Sequence, residues 1–95
     1  MNEISDKKLD KYLDVTEKAI RFLKISVPEK THLRAVADDF LDMAKRYLSD
    51  AKHFRSNGDY VNAFAAVNYA HGWLDAGARL RLFDVKHNSK LFTVD

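Results

Sequence analysis

Apolar positions in the first quarter of the chain recur at helical spacing. They alternate intervals of four and three residues, which places them on one stripe of an α-helix. Ser5 is a suitable N-cap for this helix, and Asp6 opposes the dipole of its first turn. The pattern predicts a first helix over about residues 6–25, whose stripe consists of Leu9, Leu13, Thr16, Ile20 and Leu23, flanked by Tyr12 and Ala19.

The same alternation returns in the next segment and predicts a second helix over about residues 28–56. Pro28 separates the two helices, because its ring disfavours a helical preceding residue and suits the first turn of a new helix. Ser26 and Glu29 have the spacing of a capping box, which leaves the start open by a residue or two. The second stripe consists of Leu33, Ala37, Phe40, Ala44, Tyr47, Ala51 and Phe54.

A third helix is predicted over about residues 60–82. Gly58 suits the left-handed position that ends the second helix, and Asp59 is a good N-cap with Asn62 at the third helical position. A link this short returns the third helix antiparallel to the second. No strand pattern precedes the tail, residues 84–95, which we expect to be irregular or extended, with an apolar "LFTV" that could dock on the helices. The predicted fold is all-α: a closed, up-and-down three-helix bundle in one domain, residues 1–95.

The third helix is apolar on two sides. One face should meet the other helices: Tyr60, Ala63, Phe64, Val67, Ala70, Leu74 and Ala78. The opposite side should be polar, yet it holds Ala65, Tyr69, Gly72, Ala76 and Phe83, with Ala66, Trp73 and Leu80 along one shoulder. A helix that is apolar all round is normally buried all round, so the tail, a second copy of the chain or another protein should cover this side. The alternative is a solvated face rich in good helix formers.

Composition excludes several classes of function. The 16 basic and 14 acidic side chains nearly balance, so no strong attraction to polyanions is expected. The chain has no cysteine and therefore no disulfide or thiolate chemistry. The longest uninterrupted apolar run, "AFAAV", is far short of a membrane span, and the charged "MNEISDKKLD" lacks the apolar core of a signal peptide. We expect a cytoplasmic protein with no membrane association.

The segment "SNGDYVNAFAAVNYAHGWLDAGARLRLF", with "YLSDAKHF" before it and "LFDV…LFTV" after it, resembles archaeal domain-of-unknown-function family 357. The resemblance implies a small three-helix, up-and-down bundle. It implies no activity and no catalytic residues. The matching positions are Gly58, Asp59, Tyr60, Ala63, Tyr69, Ala70, Gly72, Leu74, Asp75, Ala76 and Gly77.

A polar group interrupts the apolar faces of the third helix. His71, Asp75 and Arg79 follow one another at intervals of four, so each side chain can reach the next. An imidazole oriented by a carboxylate is suited to proton transfer or ligand binding. No nucleophile or second acid accompanies the group, and we favour a structural role at the edge of the core.

Arg81 and His87 have the spacing of the arginine–histidine pair of HEPN-like ribonucleases, and the third helix resembles helices of that superfamily. That resemblance implies that His87 acts on the RNA 2′-hydroxyl and that Arg81 stabilises phosphate charge. The polar residue expected just after the arginine is missing, since Leu82 and Phe83 follow it.

Metal and nucleic-acid chemistry receive little support elsewhere. Asp50 and His53 form only half of a carboxylate–histidine motif, and no inward glutamates complete it. We expect no cofactor and no metal. The sequence favours a non-enzymatic module that forms a homodimer or binds a helical protein through the third helix, using Ala65, Tyr69, Gly72, Trp73 and Ala76. The alternative is an RNA-cleaving or nucleic-acid-binding protein that uses Arg81 and His87.

Overall fold

The described chain folds into three helices and two short strands. The computed structural model describes residues 5–93. Helix α1 spans Asp6–Phe22, α2 spans His32–Ser56 and α3 spans Tyr60–Arg79. Strands β1, Lys24–Ile25, and β2, Phe83–Asp84, pair antiparallel, with Ile25 opposite Phe83. The predicted all-α, three-helix class is confirmed.

Cross-helix contacts show an up-and-down arrangement. Glu17 of α1 binds Lys52 near the end of α2, and Asp10 binds Arg55, so α1 and α2 run in opposite directions. The ring of Phe40 meets that of Trp73, whereas Tyr47 further along α2 meets Tyr69 earlier in α3. Helices α2 and α3 are therefore antiparallel as well, and together they form the most extensive helix pair.

The buried apolar side chains form two clusters along the bundle. The cluster near the α2–α3 turn comprises Leu9, Leu13, Leu48, Ala51, Ala63, Ala66, Val67 and Ala70. The cluster at the other end comprises Ala19, Leu23, Ala37, Ala44, Leu74, Ala78, Leu82, Phe83, Val85 and Phe92. The second cluster draws part of its volume from residues after α3, so the C-terminal segment is part of the core.

Predicted capping residues are confirmed at three helix ends. The Ser5 side chain accepts a hydrogen bond from the backbone N–H of Lys8 at the start of α1. The Asp59 carboxylate does the same for Asn62 at the start of α3. Gly58 has the left-handed backbone, φ 76°, that ends α2 in a Schellman motif.

The structure corrects the predicted boundary between α1 and α2. Helix α1 ends at Phe22 rather than residue 25, because Leu23 turns extended and the next two residues form β1. The α2 N-cap is Thr31, not a residue near Pro28. Lys30 has a left-handed backbone, φ 62°, so it cannot belong to the helix. Leu33, predicted in the α2 stripe, is 54% exposed on the first turn.

Helix α3 ends three residues before the predicted residue 82. Arg81 adopts a left-handed backbone, φ 61°, and the N–H of Leu82 donates to the carbonyl of Gly77. This reversal sends the chain back along the bundle as β2, whereas the helical pattern places Phe83 on the second side of the third helix and residue 84 in the tail. Beyond β2, Phe92 is buried against α1 and α3. Val94, the last apolar residue of "LFTV", lies outside the described residues.

Candidate functional site

The second apolar side of α3 is open to solvent. Ala65, Tyr69, Gly72, Trp73 and Ala76, together called the outer face below, line a shallow groove of about 420 Å³ with Asn68. Tyr69 is 55% exposed. The outer face continues toward both ends of the helix through Val61 and Leu80, which are 69% and 62% exposed.

Aromatic contacts hold the large side chains of the outer face in place. The Tyr69 ring lies edge-on to Tyr47, with centroids 4.4 Å apart, and Trp73 lies edge-on to Phe40 at 5.0 Å. Both partners belong to α2, so one edge of each ring is fixed while the other faces water. Fixed aromatic side chains lose little conformational entropy on binding, which suits them to an interface.

Parts of the predicted second side are buried within the chain. Phe83, placed there by its helical position, belongs instead to β2 and packs inside against Gly77. Ala66 is also buried. Up to Thr93, the tail does not cover the outer face, because Phe92 and Thr93 contact His71 and Asp75 on another side of α3.

The two glycines of α3 differ in what surrounds them. A methyl group on Gly77 would overlap the ring of Phe83, so the fold requires glycine there. A methyl group on Gly72 would meet no atom within 4 Å. Glycine inside a helix costs about 1 kcal/mol relative to alanine. Nothing within the described chain explains why position 72 has glycine.

His71 and Asp75 have structural partners. The Nδ1 atom of His71 lies 3.0 Å from the hydroxyl of Thr16, which is only 2% exposed. Its Nε2 atom lies 3.8 Å from Oδ1 of Asp75. The Asp75 carboxylate accepts hydrogen bonds from the backbone N–H and the hydroxyl of Thr93, at 2.8 and 3.2 Å. The pair therefore ties α1 and the tail to α3.

Arg79 follows Asp75 by four residues along α3 and points in a different direction from His71. Eight residues of α-helix turn the side chain about 80° away from the direction of His71. Arg79 lines a different cavity, which also contains Arg81. Within the predicted polar cluster, the structure places His71 and Asp75 in direct contact.

The C-terminal cleft, as we call this second cavity, has a volume of about 320 Å³. It contains both residues of the predicted ribonuclease pair, Arg81 and His87. Its other polar lining residues are Ser26, Arg79, Asp84, Lys86 and Thr93. Sequence reasoning missed Ser26 and Asp84, because strand pairing rather than local pattern brings the α1–α2 connection to this place.

Ser26 and Asp84 fix the backbone around the cleft. The Ser26 hydroxyl donates to the carbonyl of Arg81 at 2.8 Å. The Asp84 carboxylate accepts from the backbone N–H of Lys86 at 3.1 Å. The cationic residues of the cleft are thus carried on a segment that the β1–β2 region holds in position.

Metal coordination has no visible framework in the described chain. Within residues 5–93, no three histidine, aspartate or glutamate side chains are close enough to hold one ion. His53 belongs to the incomplete Asp50–His53 motif. Its Nε2 atom lies 3.1 Å from the side-chain amide nitrogen of Asn57.

A bidentate ion pair joins α1 and α2 at the opposite end of the bundle. Arg55 Nε and Nη2 donate to the two carboxylate oxygens of Asp10, at 2.6 and 3.1 Å. This hydrogen bonding lowers the pKa of Asp10 and raises that of Arg55. A hydrogen bond to the Asp6 carboxylate raises the pKa of Tyr60. These groups lie on the surface near the α2–α3 turn.

Fold and surfaces together define a small all-α protein: an up-and-down three-helix bundle closed by a two-stranded ladder. The family described as protein of unknown function (DUF357) matches residues 11–83, and the chain belongs to that family. No curated protein and no solved structure matches the chain. None of the helices described between residues 5 and 93 is long and apolar enough to cross a membrane.

Proposed function

We propose that the chain is a non-enzymatic self-association module whose outer face binds the outer face of a second copy. The observation that carries this proposal is Gly72. It occupies an exposed position in the middle of α3, where the isolated fold has room for a side chain. The close approach of another helix explains the glycine, because small residues let two helix backbones come together.

The spacing of the exposed apolar residues supports a twofold partner. Along α3 and its C-cap they are Val61, Ala65, Tyr69, Gly72, Ala76 and Leu80. The intervals are four, four, three, four and four, which read the same in both directions. A symmetric dimer presents one patch to itself, so a palindromic row suits two antiparallel helices.

In this arrangement, large and small side chains alternate across the twofold axis. The axis passes between positions 70 and 71, so Tyr69 lies level with the partner's Gly72. Ala65 lies level with the partner's Ala76. Each tyrosine ring would therefore pack over a glycine rather than against another ring. Antiparallel helices also place opposite dipole ends side by side.

Charge favours self-association over a charged partner. Between Tyr60 and Leu74, α3 has no aspartate, glutamate, lysine or arginine. In a symmetric contact, any net charge on the patch would face the same sign on the other copy. Depletion of charge is typical of the buried centre of an interface.

The size of the patch predicts a weak dimer. The 20 residues of α3 make a helix about 30 Å long and about 10 Å wide with its side chains. That strip is smaller than the roughly 800 Å² that each partner contributes to a standard interface. We therefore expect dissociation in about the micromolar range.

Light scattering of the pure protein over a range of concentrations tests self-association. The dimer should dissociate in Ala76→Arg, because arginine keeps a high helix propensity and adds a charge to the contact. Ala35→Arg changes an exposed alanine of α2 and should leave the dimer intact. A wild-type protein that stays monomeric at about millimolar concentration contradicts the proposal.

Thiol cross-linking tests the antiparallel alignment, since the chain has no native cysteine. A mixture of Ala65→Cys and Ala76→Cys proteins should give a cross-linked heterodimer. Neither variant alone should cross-link, because identical positions would lie about 16 Å apart along the helix axis. Efficient cross-linking of one variant with itself would show a parallel pair and rule out this alignment.

We propose RNA cleavage by Arg81 and His87 as a second candidate function, because both residues line the C-terminal cleft. His87 would exchange a proton with the 2′-hydroxyl, and Arg81 would stabilise phosphate charge. Incubation with a panel of RNAs should then give cleavage that is lost in His87→Ala. His53→Ala, which alters an exposed histidine of α2, should retain it. Absence of cleavage, or cleavage equal in both variants, removes this candidate.

A further inference from the structure

The excess positive charge of the protein is concentrated around the C-terminal cleft. Residues 79–90 have four basic side chains and one acidic side chain, whereas the rest of the chain has 12 basic and 13 acidic. Three of the four basic residues, Arg79, Arg81 and Lys86, line the cleft. A region with this local charge attracts anions although the whole chain is nearly neutral.

Three residues of the cleft, two of them cationic, have backbone conformations that favour glycine. Among the described residues, four other than glycine have a left-handed backbone: Lys30, Arg81, Lys86 and His87. The last three line the cleft. Left-handed residues with a side chain are strained, and such strain concentrates at functional sites.

The ends of α2 and α3 show which residue is usual at a left-handed position. Both helices end in a Schellman motif, with one left-handed residue just past the helix. The residue is Gly58 after α2 and Arg81 after α3. The same comparison applies to the turn at residues 85–88, where the Asn88 N–H donates to the Val85 carbonyl at 3.0 Å. Its central residues are Lys86 and His87, where glycine or asparagine is usual.

We infer that the C-terminal cleft binds a phosphate group, with Arg81 and Lys86 as its principal contacts. The planar guanidinium of arginine matches two phosphate oxygens, and lysine adds a compact charge. Arg81 and Lys86 are retained at strained backbone positions because glycine there would remove the side chains that bind phosphate. The inference depends neither on self-association nor on RNA cleavage, since binding needs no dimer and no proton transfer.

Amide chemical shifts of the full chain during titration with inorganic pyrophosphate test the inference. Shifts should concentrate in residues 79–88. Arg81→Gly should raise the melting temperature by about 2–6 °C, because glycine relieves the left-handed strain. It should weaken pyrophosphate binding about tenfold or more, because the charged contact is lost. Lys86→Gly should likewise raise the melting temperature and weaken pyrophosphate binding.

Lys30→Gly is the matched control. Lys30 is cationic and left-handed, φ 62°, but it does not line the cleft. Its replacement should stabilise the fold equally and leave binding unchanged. Equal weakening by Lys30→Gly, or shifts spread over the whole surface, would show general charge attraction and overturn the inference. Absence of any shift at about 10 mM pyrophosphate would also overturn it.

A second titration distinguishes the sources of the phosphate. A single-stranded oligoribonucleotide of about eight nucleotides replaces pyrophosphate under the same salt conditions. Tighter binding of the RNA with the same dependence on Arg81 assigns the cleft to a nucleic-acid backbone. Equal or weaker binding assigns it to a free phosphate compound. Binding of RNA that is insensitive to Arg81→Gly contradicts the site.

Discussion

The ring of Phe83 lies against the backbone of Gly77, at the place where a methyl group on that glycine would be. In Gly77→Ala, overpacking should lower the free energy of unfolding by about 1–3 kcal/mol. The better helix propensity of alanine offsets about 1 kcal/mol of this loss. Urea denaturation measures the difference. Phe83→Leu in the Gly77→Ala background should recover part of the loss, because leucine removes the planar ring. An unchanged midpoint in Gly77→Ala would contradict the packing.

Gly72→Ala should have opposite effects on folding and on association. At low protein concentration the variant should be more stable by about 1 kcal/mol, because alanine is the better helix former and meets no neighbour. At high concentration the dimer should be weaker, since the added methyl groups separate the two helices. Urea denaturation and sedimentation analysis measure the two quantities. A variant that is less stable when dilute would show an intramolecular role for Gly72.

Asp75→Ala should release the C-terminal segment without unfolding the helices. The variant loses the hydrogen bonds from the Thr93 amide and hydroxyl, which end on a charged carboxylate. Bonds of this type contribute about 1.5–3 kcal/mol, so exchange of the Thr93 amide should accelerate tenfold or more by the same estimate. Asp38→Ala, which removes an exposed ion pair with Arg34, should leave Thr93 unchanged. Equal protection in both variants would contradict the tether.

The Asp10–Arg55 pair should contribute stability above about pH 4, the unfolded pKa of aspartate. The bidentate hydrogen bond from Arg55 lowers the pKa of Asp10 in the folded protein. The unfolded state therefore takes up the proton first, and the contribution is lost as pH falls through the folded pKa. Asp10→Asn should be less stable than wild type at neutral pH, and the difference should shrink toward pH 2 in acid-denaturation series. A difference that grows on acidification would contradict this sign.

Local features were predictable from the sequence. Apolar spacing located the helices, and Ser5, Gly58 and Asp59 have the predicted capping roles because a cap depends on neighbouring residues alone. The exposed side of α3 could also be predicted at Tyr69 and Gly72. Its exposure follows from an excess of apolar residues over what two other helices can cover.

Contacts between distant segments could not be predicted. Leu23 leaves α1 because the following residues pair with a strand that comes after α3. Arg81 has a left-handed backbone, although sequence rules expect glycine in that conformation. The cleft depends on Ser26 reaching the Arg81 carbonyl, a contact between the α1–α2 connection and the end of α3. Periodicity within one helix contains no information on such pairs.

The ladder between β1 and β2 also sets the order in which parts of the protein can open. It joins the α1–α2 connection to the segment after α3, so it closes a chain loop that contains α2 and α3. Closing a long loop is entropically unfavourable, and two residues per strand offer few bonds against it. The ladder and the C-terminal segment should thus form one cooperative unit that opens at lower free energy than the helices. The C-terminal cleft should then assemble and come apart while the α2–α3 hairpin stays folded.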